Sequence, residues 1–212
     1  MKISSWNLLH RSGASVDEVA QVLDSEAPDL LLMQEATPEI ARLKDVFGGY
    51  YLFQPWPGKR YGMAIWSSKP VEQVDTITLP HSRLPGRFPI RAAQLVRMND
   101  ITVTNVHLSH GQLLNRRQLA RIADKTEGPT VIMGDFNAVG PIRLGEFSDV
   151  GPKAPTHKAQ NILPFRLDRC LVRALEATET KILEPLGSDH HPIVVSLDSN
   201  PSANKNEVSA AS

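Results

Sequence analysis

The sequence predicts an α/β fold, and three observations carry that prediction. Two short apolar runs, residues 30–33 and 131–133, are unbroken by polar side chains, as a strand buried on both faces requires. A strand, a helix and a second strand fit between Lys2 and Glu35, a unit short enough to demand parallel pairing. Elsewhere VEQVDTITL alternates apolar and polar, and RAAQLVRM meets ITVTNVHL across the two-residue turn Asn99-Asp100, so antiparallel strands are present too.

Taken in order, KISSWNLLH opens as a strand that ends near Asn7. Ser15 and Glu18 form a capping box, and Val16, Val19, Ala20 and Leu23 follow at helical spacing, so a helix runs to about Pro28. DLLLMQE is the second buried strand; it ends in Gln34 and Glu35, and parallel pairing puts Asn7 and Glu35 at one edge. Thr37 as N-cap and Pro38 in the first turn open another helix, which Gly48-Gly49 closes. YYLF and GMAIWSS are strands around the loop QPWPGKRYG, and Trp56, Tyr61 and Trp66 read as core aromatics rather than stacking platforms. PHSRLPGRFPI is a loop rich in Pro and Arg.

The hairpin after it ends in Asn105, His107 and Ser109, polar positions at period two. A helix over 112–125 turns Leu113, Leu119, Ile122 and Ala123 inward and Arg116, Arg117 and Arg121 outward, and Gly128 stops it. Residues 141–164, rich in Gly, Pro and Lys, form an edge loop with one helical turn. RLDRCLV is a strand carrying Asp168 among apolar neighbours, and ALEATETKIL is a solvent-facing strand. LGSDHHPIVVSL is a loop holding Ser188, Asp189, His190 and His191, followed by a final strand from Ile193. No periodicity remains beyond Leu197, so one domain covers 1–197 and 198–212 form a disordered tail.

Lys plus Arg and Asp plus Glu both number 23 among 212 residues, so any attraction to phosphate must be local. The single cysteine, Cys170, excludes an internal disulfide and a Cys-based zinc site. There is no basic-then-apolar leader and no apolar run of about 18 residues, which sets the expectation of a cytoplasmic monomer with no membrane partner.

Candidate chemistry centres on TVIMGDFNAVG. Gly134 removes a side chain where Asp135 must leave the sheet, and Asp135 and Asn137, two apart and about 7 Å from each other, face one volume. Gly, Asp and Asn are also ordinary turn residues, just as a lone Glu35 or His107 at a strand end is an ordinary structural residue. The recurrence tips the balance: strand ends carry Asn7; Glu35; Asn105 with His107; Asp135 with Asn137; and Asp189 with His190. Asp168, inside an apolar strand, needs a partner, and His190 is the natural one.

In this order SWN, MQE, NVHL, GDFN, RLD and SDHHP resemble the endonuclease/exonuclease/phosphatase superfamily, the deoxyribonuclease I-like metallo-phosphoesterases, over nearly all of residues 2–197. The resemblance implies a four-layer α/β/β/α sandwich, two mixed β-sheets packed face to face with helices outside. It implies Mg²⁺ or Mn²⁺, with Glu35 the principal ligand and Asn7 and Asp189 completing the cage or acting through water. By the same carry-over Asp135 orients and deprotonates the attacking water, Asn137 holds phosphate and water in line, and His190, its ring fixed by Asp168, touches a phosphate oxygen. His107, Asn105 and Arg91 are further phosphate contacts, Gln34 and Ser188 supports, and Thr156, His157 and His191 structural or at the substrate's edge.

The implied activity is phosphodiester hydrolysis on DNA or RNA by a low-specificity endonuclease. The His107-Leu108 pair, and the lack of Trp in 141–165, depart from the abasic-site branch. The chain also lacks the insertions that shape lipid-headgroup or tyrosyl-DNA specificity. Arg83, Arg87, Arg91, Arg97, Lys153, Lys158 and Arg166 would supply a local positive rim, or simply a solvated surface. The alternative activity is a phosphatase or phosphodiesterase acting on a small-molecule or lipid phosphate. A binding module without turnover fits poorly with the presence of Glu35, Asp135 and His190 together.

Overall fold

The computed structural model describes residues 1–82, 90–159 and 163–198. Its first half comprises β1 Lys2–Asn7, α1 Val16–Glu26, β2 Leu30–Ala36, a 3-10 turn Pro38–Arg42 running into α2 Leu43–Val46, β3 Tyr50–Pro55 and β4 Gly62–Ser67. There follow β5 Glu72–Thr78, β6 Ala92–Met98, β7 Ile101–His107, α3 Gln112–Ala123 and β8 Thr130–Asp135. The last part holds β9 Ser148–Asp149, β10 His157–Ala159, β11 Leu163–Phe165, β12 Asp168–Arg173, β13 Glu176–Ile182 and β14 Ile193–Asp198.

Two six-stranded sheets form, ordered β13-β14-β1-β2-β4-β3 and β5-β6-β7-β8-β12-β9, with β10-β11 a separate pair. In each sheet one neighbouring pair is parallel, β1 with β2 and β7 with β8, and α1 and α3 are their crossovers. The sheets pack face to face through Ile3, Leu32, Val103, Met133, Cys170 and Val195. Outside the first, Val19 and Leu23 of α1 pack on Trp6, Leu31 and Trp66; outside the second, Leu119 and Ile122 of α3 pack on Val106, Ile132 and Phe136. The layers therefore run α/β/β/α, as the resemblance implies. Each fully buried apolar side chain in them contributes roughly 1.5–3 kcal/mol. No helix among the described residues is long and apolar enough to cross a membrane.

Local chemistry explains most boundaries. The Ser15 side chain accepts from the Glu18 amide at 3.3 Å while the Glu18 carboxylate accepts from the Ser15 amide at 2.7 Å, and Ala27 ends α1 in the left-handed region. Asn99, at φ 53, turns the hairpin so that Met98 faces Ile101. Gly134 is obligatory for a reason the sequence does not show: at φ 147, a Cβ there would lie 2.0 Å from the Val106 carbonyl oxygen of the paired strand.

Three expectations need correction. The Thr37 side chain makes no capping bond, and the segment after it is a 3-10 turn with a single α turn rather than a full helix. Leu113, in the first turn of α3, is 74% exposed, and burial begins with Asn115, Gln118 and Leu119. Residues 141–164 contain no helix among those described: β9 instead pairs with β12, covering its edge, and β10 with β11. The final strand reaches Asp198, and the predicted tail, 199–212, lies outside the described residues, as do Arg83 and Arg87.

Candidate active site

The ends of β1, β2, β7 and β8 meet at one cleft of about 180 Å³. Asn7, Glu35, Arg91, His107, Asp135, Asn137, Asp189 and His190 all line it. Residues scattered from position 7 to position 190 are thus brought to one volume by the two parallel crossovers and the loop before β14.

Asp135 is the hub. Its Oδ2 accepts from the Asn7 amide at 3.0 Å and the Asn137 amide at 3.2 Å, and its Oδ1 accepts from the Asn137 backbone N–H at 2.8 Å. His107 Nε2 lies 3.3 Å and His190 Nε2 3.9 Å from the same Oδ2. Asn137 reaches back because its backbone turns left-handed, at φ 47, rather than by continuing the strand; its amide also donates to the Leu108 carbonyl at 3.0 Å. Burial pushes the Asp135 carboxyl up to about 6; His190 opposes this, Asp168 adds to it, and the bonds from Asn137 and Asn7 oppose it.

His190 Nδ1 meets Asp168 Oδ2 at 2.9 Å, the pairing expected from the apolar setting of Asp168. Burial pulls the imidazole toward neutrality, but Asp168 and then Asp135 outweigh it and raise its pKa to about 10. His107 behaves oppositely: burial, with Arg91 and His190 nearby, holds it well below its ordinary value and so neutral. The Ser188 hydroxyl donates to the Asn7 carbonyl at 2.6 Å and accepts from the His190 amide at 3.1 Å, tying β1 to the histidine loop.

Glu35 occupies the other wall. It sits in the left-handed region at φ 54, within a break in β2–β4 register between Met33 and Ala36. Gln34 thereby points between the sheets and Glu35 into the cleft. Glu35 Oε2 accepts from the His10 amide at 3.2 Å and contacts His10 Nδ1 at short range, and the His10 ring stacks on Tyr61 at 3.6 Å. The oxygen donors of Glu35, Asn7 and Asp189 suit a hard divalent cation, and Asp189 Oδ1 is buried with no hydrogen-bond partner among the described residues.

Asn105 must be reassigned. It is wholly buried, donating to the carbonyls of Met33 at 3.1 Å and Ala64 at 3.0 Å and accepting from Gln34 at 2.8 Å. It fastens one sheet to the other and does not line the cleft. Arg91 does line it: its guanidinium lies 4.0 Å over the Trp56 ring, and its Nε and Nη1 are buried without partners among the described residues. Among the described residues of the expected positive rim, only Arg91 faces the cleft. Arg166 is held by both oxygens of Asp149, at 2.7 and 2.6 Å, and Lys153 by its carbonyl, while Arg97 sits with Met1 and Asp29 in a different hollow. Nothing is described of the Lys158 side chain.

The linear reading missed His10 and His110 and undervalued His157. His157 Nε2 is 3.4 Å from Asp189 Oδ2 and holds that carboxyl below its ordinary value, and its ring lies 4.4 Å from that of His190. A backbone bridge between His157 and His190 brings them together, and no sequence signal marks it. Thr156 and His191 make bonds to the backbone: the Thr156 hydroxyl accepts from the Asp168 amide at 2.9 Å, and His191 Nδ1 pairs with the Leu183 carbonyl at 2.8 Å.

Comparison with known proteins bears on the fold and the family. A UPF0294 protein of Yersinia pestis is 26% identical over 220 residues, covering 92% of this chain and 82% of the relative. An endonuclease/exonuclease/phosphatase from Beutenbergia cavernae superposes with a TM-score of 0.75 at 19% identity, over 93% of this chain and 71% of that one. TDP2 of D. rerio, humanized by 14 mutations, gives 0.74 at 18% identity, over 94% and 99%. The sequence pattern of the Endonuclease/Exonuclease/phosphatase family matches residues 4–190, and the chain belongs to that family.

Proposed function

We propose that this member of a divalent-metal-dependent phosphoesterase family hydrolyses phosphodiester bonds of nucleic acid, as a nuclease of low sequence specificity. The observation that carries the reading is the Asp135 hub: a buried carboxylate bonded by Asn7 and Asn137, 3.9 Å from the imidazole of His190, which Asp168 holds at 2.9 Å. Burial raises the Asp135 pKa to about 6, and the two carboxylates keep His190 cationic. At neutral pH Asp135 is ionised yet basic enough to take a proton from water. Asn7 and Asn137 hold its oxygens in place, and neutral His107 stands with Nε2 3.3 Å from it. His190, cationic, and Arg91, with two unpartnered donors, are placed to meet the non-bridging oxygens of a phosphate. Glu35, Asn7 and Asp189 would hold Mg²⁺ or Mn²⁺, which when bound supplies charge neutralisation at the phosphoryl oxygens and leaving alkoxide.

The test is incubation with supercoiled plasmid, single-stranded oligonucleotides and RNA, each with Mg²⁺, Mn²⁺ or a chelator. Metal-dependent nicking or cleavage that the chelator abolishes is the expected result. Release of inorganic phosphate from small or lipid phosphomonoesters, with nucleic acids left intact, would overturn the substrate assignment in favour of the alternative.

A further inference from the structure

One wall of the cleft carries a second donor set of different chemistry. The liganding atoms of His157, Asp189 and His190 lie within 4.8 Å of one another. His157 Nε2 and Asp189 Oδ2 are 3.4 Å apart. That matches the edge of a tetrahedron whose metal bonds are about 2.1 Å long. His190 brings its own orienting carboxylate, since Asp168 takes Nδ1 at 2.9 Å and leaves Nε2 toward the cleft, the arrangement that carboxylate–histidine–metal triads use. His157 Nδ1 and Asp189 Oδ1 are both buried without hydrogen-bond partners among the described residues, and His190 is only 5% exposed. The backbone bridge between His157 and His190 fixes the spacing of the two rings. Two imidazoles and a carboxylate with open positions favour Zn²⁺ or Co²⁺ over Mg²⁺, whereas Glu35 and Asn7 offer oxygen alone.

We propose that His157, Asp189 and His190 form a transition-metal site at the edge of the cleft, and that Zn²⁺ bound there switches hydrolysis off. Zn²⁺ would displace the Nε2 proton of His190 to solvent, take that nitrogen away from the substrate, and take Asp189 away from the oxygen-rich set. The binding half stands on geometry; the switching half rests on the proposed role of His190 in phosphodiester hydrolysis.

The purified full chain, in excess Mg²⁺, is titrated with Co²⁺ and followed by its visible d–d absorption. An intense band of low-coordinate Co²⁺ should appear, saturate, and bleach when Zn²⁺ is added. His157→Ala and His157→Gln should each weaken Co²⁺ binding ~10-fold or more, with the far-UV circular dichroism spectrum retained as the check on folding. No such band in the wild-type chain, or equal affinity in a folded variant, overturns the site. In a second arm Zn²⁺ should inhibit Mg²⁺-supported cleavage, and His157→Ala should need ~10-fold more Zn²⁺ for the same fractional inhibition. Equal sensitivity overturns the switch. A chain that cleaves none of the nucleic acids refutes the nuclease reading, while the spectroscopic arm decides the metal site regardless.

Discussion

Asp135 and Glu35 stand near the ends of equivalent strands, β8 after α3 and β2 after α1, and each end carries a left-handed residue, Asn137 two positions after Asp135 in one case and Glu35 itself in the other. Their surroundings differ sharply. The Asp135 side chain is 2% exposed and accepts from two amides and a backbone N–H, while that of Glu35 is 17% exposed and is met by His10 alone among the hydrogen bonds described. A charge buried where the dielectric is low must be satisfied before any ligand arrives, so Asp135 is fixed in advance. A carboxylate at the cleft's open side with one neighbour can exchange that neighbour for a cation. On the proposed reading, one wall is fixed in advance for proton transfer and the other exchanges its neighbour for a metal.

The sharpest way to break that contrast is Asp135→Asn. It should lower kcat by about 10³-fold or more with metal affinity little changed, as measured by plasmid nicking and metal titration; surviving turnover would remove Asp135 as the base. Next in size, His190→Ala should cost roughly 10²–10³-fold and Asp168→Asn somewhat less. The double variant should be no worse than His190→Ala, and simple additivity would show that Asp168 does not work through His190.

Glu35→Ala should act on metal rather than on chemistry, raising the Mg²⁺ needed for half-maximal rate ~10–100-fold, with partial recovery at high metal. Its Tm should also lose the increase that Mg²⁺ gives the wild-type chain. An unchanged titration would take Glu35 out of the metal site.

Smaller is the pH effect. Because burial raises the Asp135 pKa, the base form is present only above about 6, so kcat/KM should climb as pH rises through that value. A rate that is flat from pH 5 to 7, or that falls, would contradict it. Smallest for catalysis is Asn105→Ala, which should destabilise the fold by about 1–3 kcal/mol in a urea titration by removing the bond from Gln34 and the donor shared with the Met33 and Ala64 carbonyls, with KM unmoved. A large change in KM instead would return Asn105 to the substrate site.

Asn105 also shows where sequence reading stops. Period two correctly puts Asn105 and His107 on one face of β7, yet Asn105 lies between the sheets and His107 at the cleft. Alternation gives the face of a strand but not how far along it the opposite sheet extends. Gln34 and Glu35 make the complementary case, because a local break in register sends adjacent residues to the interior and the cleft. The capping box, the Asn99-Asp100 hairpin and the Asp168–His190 pair were legible because each depends on chemistry within a few residues or on one unavoidable need for a partner.

The amino-acid sequence alone determined the two strand–helix–strand units and the polar residues at their ends, since apolar periodicity and capping act over short distances. Only the tertiary structure decided that His10 would meet Glu35, that Trp56 would carry Arg91, and that His157 would join Asp189 and His190. Those contacts join segments far apart in the chain, and they exist because two sheets close on each other at one particular depth and angle, which no local pattern encodes.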